Sequence, residues 1–305
     1  DTERNRPVLT VLDLFSGIGG FTVGLEQTGG FKTLAFCEID KKCQRVLNKH
    51  WPTVPVYDDI RALPAAELTG VDVLTGGFPC QDISIGSITK EGLDGERSGL
   101  WDYYRKCIAD LRPRFAIVEN VFALRGRGLD RILGELAQLG YDATWTELDS
   151  QYFGVPQRRR RIYIVAARDG IPAGADLFQF AERDRPDTAE RVKTYRRELQ
   201  DDCASLAEGG GQGIAFFTRQ RTDEFAVRGL SSTLAKRDYK SFTDVVLHSD
   251  GTLRRVMPHE RLRLQGMPDT HFDGLGLSNA DQFRMNGMTA PVVRYIGERI
   301  LHALV

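Results

Sequence analysis

The segment VLTVLDLFSGIGGFTVGLEQ, residues 8–27, decides the fold. The aliphatic run Val8–Leu14 predicts a buried strand. Phe15–Gly20 supplies a glycine turn, and a helix is predicted over Gly20–Gln27. A strand, a glycine turn and a helix in that order let backbone approach a ligand closely at the helix start. The dinucleotide fingerprint needs a third glycine at position 22; Thr22 stands there, which disfavours a nicotinamide dinucleotide.

Outward from this segment, short apolar runs alternate with helical patterns. Strands are predicted at Thr33–Glu38, Val54–Tyr57, Val71–Thr75, Phe115–Glu119, Ala143–Leu148 and Arg161–Ala166, and helices at Lys41–His50, Leu100–Leu111 and Leu129–Leu139. That alternation predicts a doubly wound α/β domain with a mostly parallel sheet. From Asp169 the rhythm breaks, and Glu208–Gly213 reads as a turn or flexible loop. Residues 169–280 are expected to form a smaller, irregular, partly β domain. The stretch 281–305 is helix-forming again, with Val292, Ile296, Ile300 and Leu301 on one face, and is expected to rejoin residues 1–168.

The 305 residues are 41% hydrophobic, ordinary for a globular chain, with a net charge of −1. The balance is uneven. Residues 1–150 carry 17 basic and 22 acidic side chains, residues 151–305 carry 24 and 20, and the stretch 157–168 holds five basic groups and no acidic one. A polyanion would meet the second half. Five cysteines without zinc spacing indicate neither a disulfide framework nor a structural metal site. No apolar run reaches membrane-spanning length, and the first residues are too polar for a signal peptide, so a soluble cytoplasmic protein is expected.

Two groups of residues carry chemistry. Glu38 and Asp40 end the second strand about 20 residues past the glycine turn, where a carboxylate can accept ribose hydroxyls. Asp59 and Ile60 end the next strand, able to accept from an adenine amino group and to pack on its ring. Together they describe a nucleoside site without a pyrophosphate clamp, which suits S-adenosylmethionine better than NAD. At the edge of the fourth strand, Gly76–Ser84 presents Cys80 after a proline; a thiol is intrinsically nucleophilic once a cationic neighbour favours its thiolate. Glu119 ends the next strand, and the alternation of the seventh sends Arg159 and Arg161 to one side. Taken singly, Cys80 and Glu119 also fit a loop thiol and a structural carboxylate.

The ordered set FxGxG (Phe15 to Gly19), GFPCQ (Gly77 to Gln81), ENV (Glu119 to Val121) and QxRxR (Gln157 to Arg161) resembles the DNA cytosine-5 methyltransferase family. Farther on, Arg261–Asp269 resembles its RLQGFPD motif and Asn286–Val292 its GNxVxxP motif, with Met285 where the family has glycine. The resemblance implies a class I S-adenosylmethionine-dependent fold with a target-recognition domain. Cys80 would attack C6 of cytosine, Glu119 would hydrogen-bond N3 and the amine, Arg161 would contact the base carbonyl, and Arg159 would support Glu119 or the cysteine loop. Phe15, Gly17, Ile18, Gly19, Glu38, Ile39, Asp59, Ile60, Pro79, Leu100 and Asn286 would line the S-adenosylmethionine pocket, the product being S-adenosylhomocysteine.

The resemblance further implies that the target base swings out of the duplex and that the glycine-rich segment 81–97 closes over it. Gln81, Ser84, Arg219, Arg221, Arg228 and Arg237 are the candidate DNA contacts, the arginines lying in the variable segment 169–253, where arginine can address guanine. The expected partner is double-stranded DNA, met by a monomeric bacterial or phage modification enzyme. An RNA cytosine methyltransferase and a catalytically silent DNA-binding subunit are the alternatives. Retention of Cys80, Glu119 and Arg161 together argues against silence.

Overall fold

In the computed structural model of the protein, the described residues are 8–79, 99–170, 177–178, 215–219, 225–228, 230–234, 238, 244–247 and 253–304. Seven strands form the main sheet: β1 (Leu9–Leu14), β2 (Phe31–Cys37), β3 (Val56–Tyr57), β4 (Val73–Gly76), β5 (Phe115–Val121), β6 (Asp142–Asp149) and β7 (Arg160–Ala167). Their order is β3-β2-β1-β4-β5-β7-β6. The first five strands run parallel, and β7 inserts antiparallel between β5 and β6. Strand order reverses between β1 and β4, which opens a crevice at the carboxyl ends of the strands.

The period of two along each strand sorts side chains into two apolar layers. Leu12, Leu14, Ala116, Val118, Ile162 and Ile164 face one cluster, shared with α3 (Leu100–Leu111) and α4 (Leu129–Gln138) through Trp101, Tyr104, Ile108, Ile132 and Leu136. Val11, Phe115, Ile117, Tyr163 and Val165 face the other, shared with α1 (Gly20–Glu26) and the last helix. That helix, Ala290–Ala303, contributes Val292, Ile296, Ile300 and Leu301 to the same cluster. Gly24 makes the close approach possible: a Cβ there would lie 2.5 Å from the Ala290 carbonyl oxygen. The remaining α-helices among the described residues are α2 (Lys41–His50), α5 (Pro258–Leu264) and α6 (Asn279–Arg284), which makes the C-terminal helix α7.

A second, antiparallel sheet of order β11-β10-β8-β9 contains β8 (Ala215–Arg219), β9 (Phe225–Arg228), β10 (Asp244–Leu247) and β11 (Leu253–Arg255). It meets α5 through Leu234, Val246, Val256 and Leu264. The other side of α5 belongs to the first body: Leu262, Met267, Phe272 and Leu277 share one cluster with Ile18, Cys43 and Val46. The stretch after Pro258 therefore packs on the glycine-turn end of the main sheet, earlier than the expected boundary at residue 280. Among the described residues no helix is long and apolar enough to cross a membrane.

Asp13 holds the sheet together where the strand order reverses. Its carboxyl group is fully buried and accepts from Thr22 Oγ1 of α1 at 3.1 Å and Thr75 Oγ1 of β4 at 3.0 Å. Thr33 Oγ1 of β2 donates to Thr22 at 3.1 Å, so four elements share one polar chain. Position 22, which a dinucleotide fold would give to glycine, is thus occupied by a residue with a hydrogen-bonding duty. Burial pushes the Asp13 carboxyl from 3.8 up to about 7, against the opposing pull of the two threonines.

Between about pH 4 and pH 7 the unfolded chain ionises Asp13 while the folded chain keeps its proton, so this group withdraws stability as pH rises through that window. Asp13→Asn, which cannot titrate, should gain on the wild type over the same window, with a ceiling of about 4 kcal/mol, and hold a constant difference above it. Thermal melts of both proteins at intervals from pH 4.5 to 8.5 check this. A difference that stays flat would mean the carboxyl ionises as readily inside as outside.

Candidate active site

At the carboxyl end of β1 the backbone enters the left-handed region three times in five residues, at Phe15 (φ 52), Gly17 (φ 55) and Gly19 (φ 83). For Phe15 this conformation costs about 1–2 kcal/mol, and its side chain packs against the cluster that contains Ile60. The turn is tied to the next two strands. Ser16 N donates to Cys37 O at 3.2 Å, and Glu38 N donates to Tyr57 O at 2.9 Å. The Glu38 carboxylate accepts from Gly17 N at 2.7 Å and Asp40 N at 2.8 Å, so it is aimed by two backbone donors. Asp40 is a helix cap, accepting from Lys42 N at 2.8 Å at the start of α2. Asp59 accepts from Arg61 N at 2.9 Å and from its guanidinium, while Ile60 is buried and Ile39 stands 65% exposed beside Glu38.

Across the crevice the 285–289 loop closes against the same turn. A Cβ on Gly20 would lie 2.8 Å from Met288, and one on Gly287 would lie 3.0 Å from Ile18 Cγ1. Gln265 staples the loop, accepting from Gly287 N at 2.5 Å and donating to Arg261 O at 2.8 Å. Asn286 Oδ1 accepts from Arg261 Nη2 at 2.9 Å, and Arg261 pairs with Asp238 at 3.0 Å, both charges buried. Met285 is no defect: it adopts φ −82, which any residue tolerates, and its side chain joins the apolar cluster around Ile18.

These residues fit S-adenosylmethionine on three observations. The Asn286 Nδ2 atom is buried with no hydrogen-bond partner among the described residues. The Glu38 carboxylate is fixed by its two backbone donors, and a Cβ on Gly17 beside it would meet nothing within 4 Å, which leaves open space at the turn. Pro79 is half-buried three residues past the end of β4, and Leu100 packs at the start of α3 against the cluster that holds Ile60.

The second group gathers at the ends of β5 and β7. Glu119 is buried; its Oε1 stands 3.1 Å from Arg161 Nε and 3.8 Å from Arg159 Nη2, and both arginine side chains are largely buried. Because β7 runs antiparallel to β5, the start of β7 lies at the end of β5, with Val121 paired to Arg161. The approach to β7 is clamped on both sides: Arg159 N donates to Asp149 Oδ1 at 2.9 Å, Ser150 N donates to Arg159 O at 3.1 Å, and Arg158 N donates to Ser231 O at 2.8 Å. Gly77, after β4, lies against the carboxylate; a Cβ there would sit 2.6 Å from Glu119 Oε2. Asn120 Nδ2 donates to Phe78 O at 3.3 Å, linking the end of β5 to the segment that leads into position 80.

Cys80, Gln81, Ser84, Arg221 and Arg237 lie outside the described residues, as does the segment 81–97. Arg219 closes β8 and Arg228 closes β9, at opposite ends of one hairpin. Cys37, Cys43 and Cys107 are buried, and burial pushes the thiols of Cys37 and Cys107 up to about 12, which leaves them without thiolate at neutral pH.

Residues 9–302 match the family described as C-5 cytosine-specific DNA methylase. The chain belongs to that family. The methylase is 31% identical to the Type II methyltransferase M.DsaV of Dactylococcopsis salina, over 96% of this chain and 86% of the relative. It is 30% identical to the Type II methyltransferase M.NlaX of Neisseria lactamica, over 96% of each. A crystal structure of the S. pombe Dnmt2 methyltransferase superposes with a TM-score of 0.69 at 18% identity, covering 96% of this chain and 98% of that one, which shows a shared fold. The family makes the methylase an enzyme, a DNA cytosine-5 methyltransferase.

Several residues that build the site escaped the sequence reading. Gln265 and Arg261 stood in a recognised motif but carried no role until their partners Gly287 and Asn286 were in place. Gln157, the first letter of QxRxR, is fully buried with neither amide atom partnered among the described residues.

Gly77→Ala tests the packing against Glu119. The carboxylate is the part free to yield, so the variant should remain folded by circular dichroism while the side chain is pushed off its arginines. A displacement of that size is expected to lower methyl transfer to DNA about 100-fold, read as radiolabelled methyl incorporation. Activity within about twofold of the wild type would show that the carboxylate position is not critical.

Proposed function

We propose that the protein transfers the methyl group of S-adenosylmethionine to C5 of cytosine in a specific double-stranded DNA sequence, with the target base swung out of the duplex and Cys80 bonded to C6 during transfer. The observation that carries this reading is the cluster of one buried carboxylate and two guanidinium groups at adjoining strand ends, with Glu119 against Gly77, three residues before Cys80.

C5 of cytosine is a weak nucleophile. Addition of the Cys80 thiolate forms an S–C6 bond and moves the C5–C6 π electrons into the rest of the ring, so that C5 becomes enamine-like. Glu119 accepts from the exocyclic amine and shares a proton with N3, where the displaced charge gathers, and that proton returns to the carboxyl group when the thiolate leaves. Arg161 holds the ring through its carbonyl oxygen, and Arg159 keeps Glu119 in place. When bound by the glycine turn, Glu38 and Asn286, S-adenosylmethionine supplies an electrophilic methyl group on a sulfonium. Loss of the C5 proton to a base then expels the Cys80 thiolate and restores the aromatic ring. The burial of Cys37 and Cys107 supports Cys80 as the nucleophile, since neither of those thiols ionises in the working pH range.

Ribose binding falls to Glu38, and adenine binding to Phe15, Ile39, Asp59 and Ile60, with Gly17, Ile18, Gly19, Pro79 and Leu100 completing the pocket. The catalytic and cofactor-binding domain comprises 1–168 and the C-terminal helix, joined by the stretch from Pro258 that packs beside Ile18. DNA reading falls to the 169–253 segment, with Arg219, Arg221, Arg228 and Arg237 addressing bases or phosphates and Gln81 and Ser84 following the flipped base. Extruding the base costs a few kcal/mol, which contacts from this segment offset. The protein acts as a monomer in the cytoplasm of a bacterium, as part of a modification system.

Duplex DNA carrying 5-fluorocytosine blocks the final proton loss and so should leave the wild-type protein in a denaturant-resistant complex when S-adenosylmethionine is present. Cys80→Ala should form none, and Glu119→Gln should form it at least about 100-fold more slowly. A complex with RNA but not with DNA would replace this reading with an RNA methyltransferase. A complex that persists in Cys80→Ala would remove Cys80 from the mechanism.

A further inference from the structure

The loop that follows α5 sends one side chain back into the glycine turn. His271 is 1% exposed, and its Nε2 lies 2.8 Å from the carbonyl oxygen of Ile18. A carbonyl can only accept, so the ring nitrogen there carries the proton. Burial pulls the His271 imidazole down to about 4, which keeps it neutral and leaves that single N–H as its donor.

Ile18 sits between Gly17 and Gly19, both at positive φ, and the Ile18 carbonyl shares one rigid peptide plane with Gly19 N–H. That N–H donates to Ser16 O at 2.8 Å. The plane is therefore clamped at both ends, by Ser16 on the N–H side and His271 on the carbonyl side. Gly19, on the carboxyl side of this peptide, carries no Cβ and sits at positive φ, so the side chain that would resist a flip there is missing. Two residues upstream of Gly19, Gly17 N donates to the Glu38 carboxylate at 2.7 Å.

His271 is itself held from the end of α2. The His50 ring stacks on it at 4.1 Å with an interplanar angle of 6°, and His50 Nε2 lies 2.8 Å from His271 O. Lys49 Nζ donates to Thr270 O at 3.0 Å. Trp51, the next residue, packs beneath Gly19, where a Cβ would lie 2.7 Å from its ring. The helix that starts beside Glu38 thus ends by fixing the imidazole that fixes the turn.

We propose that His271 is a positioning residue for the cofactor: its Nε2–H locks the Ile18–Gly19 peptide in one orientation, so that S-adenosylmethionine meets a preformed turn. The inference rests on the reading of this turn as the cofactor site. His271 is enclosed by protein and so is kept from direct contact with DNA; its loss is expected to act on cofactor affinity and to leave the chemical step alone.

The test uses the full-length protein and calorimetric titration with S-adenosylhomocysteine, together with KM for S-adenosylmethionine and kcat on duplex DNA. In His271→Gln the amide nitrogen reaches the place of Nε2, whereas in His271→Asn it reaches only that of Nδ1; His271→Phe keeps the stacking face and removes the donor. Asn and Phe should weaken binding about five- to tenfold, the loss of one buried hydrogen bond, and raise KM in step, with kcat at saturating cofactor unchanged. Gln should stay within about twofold of the wild type. Equal weakening in Gln and Asn would overturn the proposal in favour of simple ring packing, and this contrast decides the matter even should the Phe variant fail to fold. Wild-type affinity in Asn or Phe overturns it as well. A wild-type protein that does not bind S-adenosylhomocysteine at all would instead sink the reading of the turn as a cofactor site.

Discussion

A carboxylate taken out of water at the end of a strand must be given charged partners, and the whole chemical end of this protein follows from how Glu119 obtains them. Burying an unpaired carboxylate would cost several kcal/mol. Its partners, Arg159 and Arg161, lie at the beginning of β7. Had β7 joined the sheet parallel to β5, its beginning would sit at the opposite edge, a full strand length from Glu119. The antiparallel insertion between β5 and β6 brings the two ends to one place. The clamps on Arg159 from Asp149 and Ser150, and on Arg158 from Ser231, then fix the strand entry that presents both guanidinium groups.

The cofactor end is organised by a different constraint, the close approach of backbone to backbone. Gly20, Gly24 and Gly287 each stand where a Cβ would collide with a neighbouring element, so α1, the 285–289 loop and the start of α7 pack closer than side chains allow. Polar groups enclosed by that packing are satisfied within it. Asp13 binds two threonines, Gln265 bridges Arg261 and Gly287, and Asn286 takes Arg261 on its oxygen. Asn286 Nδ2 and Thr289 Oγ1 are exceptions, unpartnered among the described residues, and the Asn286 nitrogen is the donor expected to meet the ligand. α5 couples the smaller sheet to the glycine turn, since Leu264 shares a cluster with Val246 while Leu262 shares one with Ile18.

The elements of the main sheet were legible because their periodicity is strong. Lys41–His50 and Leu100–Leu111 match the observed helices residue for residue, and the seven predicted strands differ from the observed ones only at their ends. Thr22 was read only as a missing glycine, because a hydroxyl's duty depends on Asp13 and Thr33, which sit on other elements. Met285 looked like a departure because a motif letter says nothing of φ; at −82 the backbone asks for no glycine. The boundary expected at residue 280 came from composition, which registers the glycine- and proline-rich middle but cannot see that Met267, Phe272 and Leu277 are covered by Ile18 and Val46.

From the sequence alone came the strand and helix alternation, the glycine turn and the ordered motifs that name the family, since each is a local pattern of side-chain period or residue identity. Tertiary structure alone decided the direction of β7, the pairing of Glu119 with two arginines and the reach of His271 across 253 positions to the Ile18 carbonyl. The physical reason is common to all three. A hydrogen bond or ion pair is set by distance in space, and residues far apart in the chain acquire that distance only when the sheet has chosen its order and the helices have packed on it.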